Sequence, residues 1–172
     1  MGPLIRQINH TLDHWINELS SYSFEQLLLK PEPSTWALGQ VYMHLIEETR
    51  WYNEQILDCL EKNENKTAEM TPVGIAIAAA NDLGDIRIQG NPETSANMRQ
   101  PASLERLRTD LQNLKAETNE LWKMVIAADT FGKTRHPGFG FLDPYEWFQH
   151  IERHMRHHLK QKARIDQFLE FR

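Results

Sequence analysis

A single cysteine, Cys59, stands in 172 residues, so the chain cannot form an internal disulfide and fits a reducing compartment. Inside a helical stretch it reads as a small apolar side chain rather than a catalytic thiol. Basic excess is missing too. Nineteen Lys and Arg stand against 24 Asp and Glu, a net charge of -5, which leaves no electrostatic footprint for nucleic acid. The longest apolar run, "VGIAIAAA", falls far short of the ~20 residues that span a bilayer. No cationic, apolar leader opens the chain, and "MGPLIR" carries Arg6 where an N-myristoylation pattern asks for Ser or Thr. The expectation is a cytoplasmic protein with no membrane and no nucleic-acid partner.

Several catalytic signatures are also missing. There is no Gly-rich phosphate loop, no nucleophile elbow and no H-E-x-x-H. A di-iron bundle needs two Glu-x-x-His motifs. Here Glu152 precedes His154 by two residues, not three, and no second motif exists.

What the chain does have is ordinary soluble composition, 40% hydrophobic and 25% charged, at a length suited to one domain over residues 1–172. Four long segments carry helical periodicity, with no strand pattern in competition. In the first, Ile5, Ile8, Leu12, Trp15 and Leu19 recur at spacings of three and four after Pro3. A short piece, "SFEQLLLK", then runs into "PEPST", where Ser34 or Thr35 can cap the second. The second has the stripe Leu38, Val41, Leu45, Tyr52, Ile56 and Cys59. The third follows Ser103 with Leu104, Leu107, Leu111, Leu114, Thr118, Leu121 and Val125. The fourth opens at "DPYE", where Asp143 caps, Pro144 takes the first helical position and Glu146 completes a capping box. About 40 residues separate the second and third segments, enough for a crossover along a bundle, so these two helices can run parallel. "IAIAAAN" within that link reads as a short helix.

Four of the eight histidines fall in nine positions of the last segment. At about 100° per residue, His158 and His154 lie roughly 30° and 70° from the centre of the apolar face, and His150 and His157 more than about 100° away. The seam reads Trp147, Ile151, His154, His158, Gln161, Ile165, Phe168: apolar at both ends, polar in the middle. Two histidines therefore point to the core and two to water or the rim. An i, i+4 pair can share one ion, and two hydrogen-bonded core imidazoles account for it as well. His10 and His14 repeat the spacing but lie off their helix's apolar seam, which makes them surface residues. His44 flanks the second stripe beside Gln40, Glu48 and Trp51, and taken alone reads as a bundle-edge histidine.

Two motifs carry a family resemblance. "STWALGQVYMHLIEE" resembles the W-(x)2–3-G-Q-(x)3-H-L signature of the DinB-like superfamily, which includes the YfiT-type metalloproteins. "HPGFGFLDPYEWFQHIERHMRHHLKQ" resembles that family's last segment, a P-x-F-G loop followed by H-x-x-x-H-x-x-Q. The resemblance implies an all-α four-helix bundle of up-down-down-up topology with a long crossover between its second and third helices. It also implies a divalent metal held by His44, His154 and His158, with Gln161 behind them.

Three neutral imidazoles leave an ion its full charge and an open position, as in catalytic zinc sites. Imidazole suits zinc and nickel first, with iron or manganese as alternatives. Family members include transferases of low-molecular-weight thiols, so the resemblance implies a metal-dependent transferase or hydrolase acting on a small-molecule substrate. The alternative is a non-catalytic bundle in which metal or imidazoles serve structure or interaction. Glu47 and Glu48, a turn beyond His44, read as groups that orient a ligand or serve as a base, or else as ordinary helix-surface carboxylates. Trp36, Tyr42, Trp51 and Tyr52 exceed what one seam buries, which points to a homodimer.

Overall fold

The computed structural model describes residues 2–84 and 98–170. The middle of the expected crossover, 85–97, lies outside the described residues. The described chain is mostly helical. α1 (Pro3–Glu18) begins on Pro3 and buries Ile5, Ile8, Leu12 and Trp15 completely. A 3-10 turn (Leu19–Ser21) leads to the short α2 (Phe24–Leu28), capped by Ser23 and Gln26 in a capping box. α3 (Leu38–Lys62), α4 (Pro72–Ala80), α5 (Leu104–Ala127) and α6 (Pro144–Leu169) follow. Ser103 caps α5 through the Arg106 amide, and Asp143 with Glu146 forms the capping box of α6 around Pro144, both as the sequence predicts. The short helix expected at "IAIAAAN" is α4, which ends on Asn81 in the left-handed conformation.

One cap is corrected. α3 starts neither on Ser34 nor on Thr35 but on Ala37, whose amide donates to Gln40 Oε1 at 3.1 Å. Thr35 is used instead to close a turn with Glu32, donating through both its amide and its hydroxyl to Glu32 O at 3.0 Å. Gly39 of the G-Q pair has a packing reason. A Cβ there would stand 2.8 Å from Pro101 Cδ and 2.9 Å from Leu27 O, so the glycine lets two other segments close on the start of α3.

α1 and α3 each pack against both α5 and α6. The core is the set of apolar stripes read from the sequence, held in register by a few buried polar links. Tyr42 of α3 donates to Trp15 O at 3.0 Å, and Trp15 Nε1 donates to Met155 O at 3.3 Å, joining α3, α1 and α6. Asn53 of α3 donates to Thr118 of α5 at 3.1 Å. Tyr42 and Tyr52 are buried within their own chain, and Trp36 and Trp51 are half-buried against its core. The excess of rings that pointed to a homodimer is taken up largely within one chain.

A second correction concerns strands. Residues Thr134–His136 (β1) and Gly140–Leu142 (β2) form a small antiparallel hairpin, with Thr134 opposite Leu142 and His136 opposite Gly140. Three-residue strands are too short to show alternation, which is why periodicity misses them. His136 Nδ1 accepts the amides of Gly138 and Phe139 at 3.1 and 3.2 Å and so fixes the turn. The hairpin also grips the segment before α4: Thr71 N donates to Phe139 O at 2.8 Å, and Phe141 N to Glu69 O at 3.1 Å. Gly140 sits at that contact with φ +83°, and a Cβ there would stand 2.7 Å from Thr71 N.

Gly140→Ala combines left-handed strain with a backbone clash, so it is expected to destabilise the protein by about 2 kcal/mol or more. Urea unfolding checks this, and a loss under about 0.5 kcal/mol would mean that the hairpin contact yields freely.

Candidate metal centre

α3 and α6 run beside each other, and their facing turns carry His44, His154 and His158. His154 and His158 are 8% and 9% exposed, and His44 is half-buried. All three rings turn Nε2 to one point. His154 Nε2 lies 3.1 Å from His44 Nε2 and 3.1 Å from His158 Nε2, and all three ligand atoms fall within 4.8 Å of one another.

This arrangement is hard to satisfy with hydrogen bonds alone. A neutral imidazole Nε2 either donates one proton along one direction or offers one lone pair. His154 Nε2 can therefore serve one of its two short contacts well and leaves the other without a proton properly between the nitrogens. Nitrogens about 2.0–2.1 Å from one tetrahedral ion stand about 3.3–3.4 Å apart, close to the spacing of the two short pairs here. A cation accepts all three lone pairs at once, and the donor set fits one.

The tautomer of His158 agrees with that use, whereas His154 Nδ1 is buried with no hydrogen-bond partner. His158 Nδ1 donates to Gln161 Oε1 at 2.9 Å, which leaves its Nε2 unprotonated and holds the ring plane. Burial pushes the imidazole of His44 down to about 3, helped by the nearby His158. Burial likewise brings His158 down to about 4, against the opposing hydrogen bond of Gln161. His154 is held well below its ordinary value by burial and then by His158 and His44. All three are neutral near pH 7, the form that coordinates.

Neighbouring rings shape the centre. Trp36 lies over His44 with ring centroids 5.0 Å apart, and Tyr52 meets His154 edge-on at 5.6 Å. Glu48, a turn beyond His44, is half-buried. Burial raises its carboxyl above the ordinary range, opposed by a hydrogen bond with Tyr52. Glu47 is drawn away, accepting from Arg99 Nη2 at 3.0 Å on the surface. His10 and His14 are exposed, as expected, and take no part in the cluster.

His150 overturns an expectation. Placed at the rim by the helical arithmetic, it is 1% exposed, and neither ring nitrogen has a hydrogen-bond partner. Its neighbours are Tyr52 at 4.8 Å, His136 at 5.0 Å and Phe139 at 5.2 Å between centroids. The hairpin brings His136 and Phe139 over a face of α6 that the aliphatic stripe leaves bare, and the core extends there. His157 is half-buried, its ring edge-on to His158 at 5.4 Å. Sequence reasoning missed Trp36 and Tyr52 as neighbours of the centre and His136 as a buried ring. The P-x-F-G loop beside His136 was the signal for the last.

A mostly helical chain with three imidazoles converging between two of its long helices is the class that fold and site define. A sequence model of the DinB superfamily matches residues 4–161, and the chain belongs to that superfamily. No curated protein and no solved structure matches it.

The depressed histidines give a direction to pH dependence. Burial also brings His136 down to about 4. Unfolded histidines bind protons below about 6.5, while the folded ones resist until about 4 or lower, so stability is complete above about 6.5 and falls on acidification through that window. Each group can contribute a slope of up to about 1.4 kcal/mol per pH unit there. In chelator, the melting temperature is expected to drop between pH 7 and pH 4, and His136→Phe to flatten that drop. A flat profile would show that these rings titrate in the folded state as they do in the unfolded chain.

Proposed function

We propose that the chain binds one divalent ion, zinc or nickel before iron or manganese, through His44, His154 and His158. On this reading it is a metal-dependent transferase that joins a low-molecular-weight thiol to a small electrophile. The observation that carries the proposal is the convergence of three Nε2 atoms on one point, with the tautomer of His158 fixed from behind by Gln161. When bound, the ion supplies a Lewis-acid centre that favours the deprotonated form of a thiol or of water. The side chains around it have separate tasks. Trp36 covers the His44 ring and keeps water from that side. Glu48, made more basic by burial and held by Tyr52, receives the proton that a thiol gives up. Family membership and the pairing of α1 and α3 with both α5 and α6 support an up-down-down-up course for the four long helices.

One observation favours a second reading, a site that braces the fold without catalysis. His154 and His158 are only 8% and 9% exposed, and the clefts of about 710 and 270 Å³ on the α1 side of α6 are lined by other residues. A screen for thiol conjugation and hydrolysis with metal-loaded protein separates the readings. Conjugation supports the transferase, hydrolysis without thiol assigns water as the nucleophile, and neither leaves the bracing role.

Protein purified without an affinity tag is expected to carry one divalent ion per chain by elemental analysis. Replacing His154 and His158 together with Ala abolishes binding, whereas His10→Ala with His14→Ala leaves it unchanged. His44→Ala is expected to remove most of the rise in melting temperature that added zinc gives the wild type. An equal rise in both proteins would exclude His44 as a ligand. Gln161→Ala keeps all three imidazoles but frees a ring, and should weaken metal affinity by about 10- to 100-fold.

A further inference from the structure

On another side of α6 stands a buried charge that the metal centre does not use. Arg153 is 3% exposed, and its Nε is buried without a partner. Among the described residues its guanidinium makes no hydrogen bond and no ion pair. The other buried cation of α6 shows what is missing. Lys162, 5% exposed, donates to Glu18 and Asp166 at 2.8 Å each. A buried cation whose N–H donors have no direct partner is costly, and structures retain one where something else completes it.

Arg153 does not face a closed interior. It lines a cleft of about 270 Å³ with Gln7 of α1, Asn81 at the end of α4, and Gln149. That cleft shares Pro3, Gln7, Asn81 and Glu152 with the wider one of about 710 Å³, whose wall includes Arg6 and Arg156. The lining of the two clefts thus includes three arginines, of which Arg153 is the buried one.

The carboxylate is already engaged. Glu152 receives Arg156 through Nε at 3.1 Å and Nη2 at 3.1 Å, with the Thr11 hydroxyl at 3.4 Å, and Arg156 Nη2 also donates to Asn81 O at 2.7 Å. Glu152 accepts its hydrogen bonds from Arg156 and Thr11; it and Glu146 act on Arg153 only through their charge, and no hydrogen bond closes on the guanidinium that lines the cleft.

We propose that this cleft is an anion-binding site, in which the Arg153 guanidinium takes the carboxylate or phosphate group of a small molecule. A planar fork of N–H donors matches either oxyanion with two parallel bonds, which a lysine could not do. The Gln7 and Gln149 amides stand in the same wall to donate to remaining oxygens. The smaller cleft has room for the anionic group and the wider one for the rest of a metabolite-sized ligand. This site stands on Arg153 and its surroundings and does not depend on the metal reading.

The probes are inorganic phosphate, phenyl phosphate and benzoate, titrated against chloride at equal ionic strength and followed by melting temperature and by the Arg153 Nε–H resonance. The wild type should respond saturably to at least one, and the tighter of the two phenyl compounds names the class of the natural ligand. Arg153→Met should weaken that binding at least tenfold, while Arg135→Met, at an exposed position, leaves it unchanged. Without anions, Arg153→Met should melt no lower than wild type, because it removes an unpaired buried charge. The proposal is overturned if no oxyanion does more than chloride, or if Arg153→Met binds with an unchanged midpoint. Should that variant fail to fold, the wild-type resonance decides: movement with oxyanion but not with chloride supports the site, and no movement sinks it.

Discussion

Three uncharged imidazoles pressed against one another in the interior are the constraint around which the rest of this molecule is arranged. Burial keeps them neutral, and neutrality lets their nitrogens approach to 3.1 Å without charge repulsion. The same burial removes the water that would otherwise satisfy those nitrogens. Helices α3 and α6 must then hold their relative position closely, because a shift of one turn would part the rings. The links from Tyr42 to Trp15 and from Trp15 to Met155 tie both helices to α1 and resist such a shift.

Around the centre lies a layer of rings. Trp147 meets Tyr52 and Trp51 with centroids 5.6 Å apart, and His136 stacks on Phe139 at 4.2 Å beside His150. Edge-to-face aromatic contacts are directional as well as apolar, so the layer fixes side-chain orientation where simple aliphatic packing would leave more freedom. Thr134 contributes to it from the hairpin by accepting the Trp147 indole N–H at 2.8 Å. The small sheet thus acts at a distance from its size: it closes one end of the aromatic layer and anchors the approach to α4.

Charge is handled differently on the two sides of α6. Near its end, Lys162 is enclosed by two carboxylates and lies 5.3 Å from the Tyr22 ring centroid, and burial together with Asp166 pushes the Tyr22 hydroxyl up to about 12. That group of side chains is complete within the fold. Arg153 has carboxylates nearby but no hydrogen bond from its buried Nε, while Glu152 accepts from Arg156. Of the two buried cations on this helix, one is hydrogen-bonded within the fold and the other lines a cleft.

How much of this was legible in the sequence depends on the length scale of each signal. The long helices, the Ser103 and Asp143 caps and the inward pair His154 and His158 follow from local periodicity and capping chemistry, which neighbours in sequence decide. So do the outward His10 and His14. Three other features needed the tertiary structure. Ala37 caps α3 because Gln40 folds back on it while also reaching Met98, and Thr35 was drawn to Glu32. His150 is buried because a distant hairpin covers it, which no arithmetic on its own helix can register. His44 joins the pair because α3 packs on α6 in one register: its own helix left it at the edge of a stripe, family resemblance alone nominated it, and packing across 110 positions of sequence brought its Nε2 to that of His154. Sequence determines which way a side chain leaves its helix, but which side chains then meet is decided only when the helices pack.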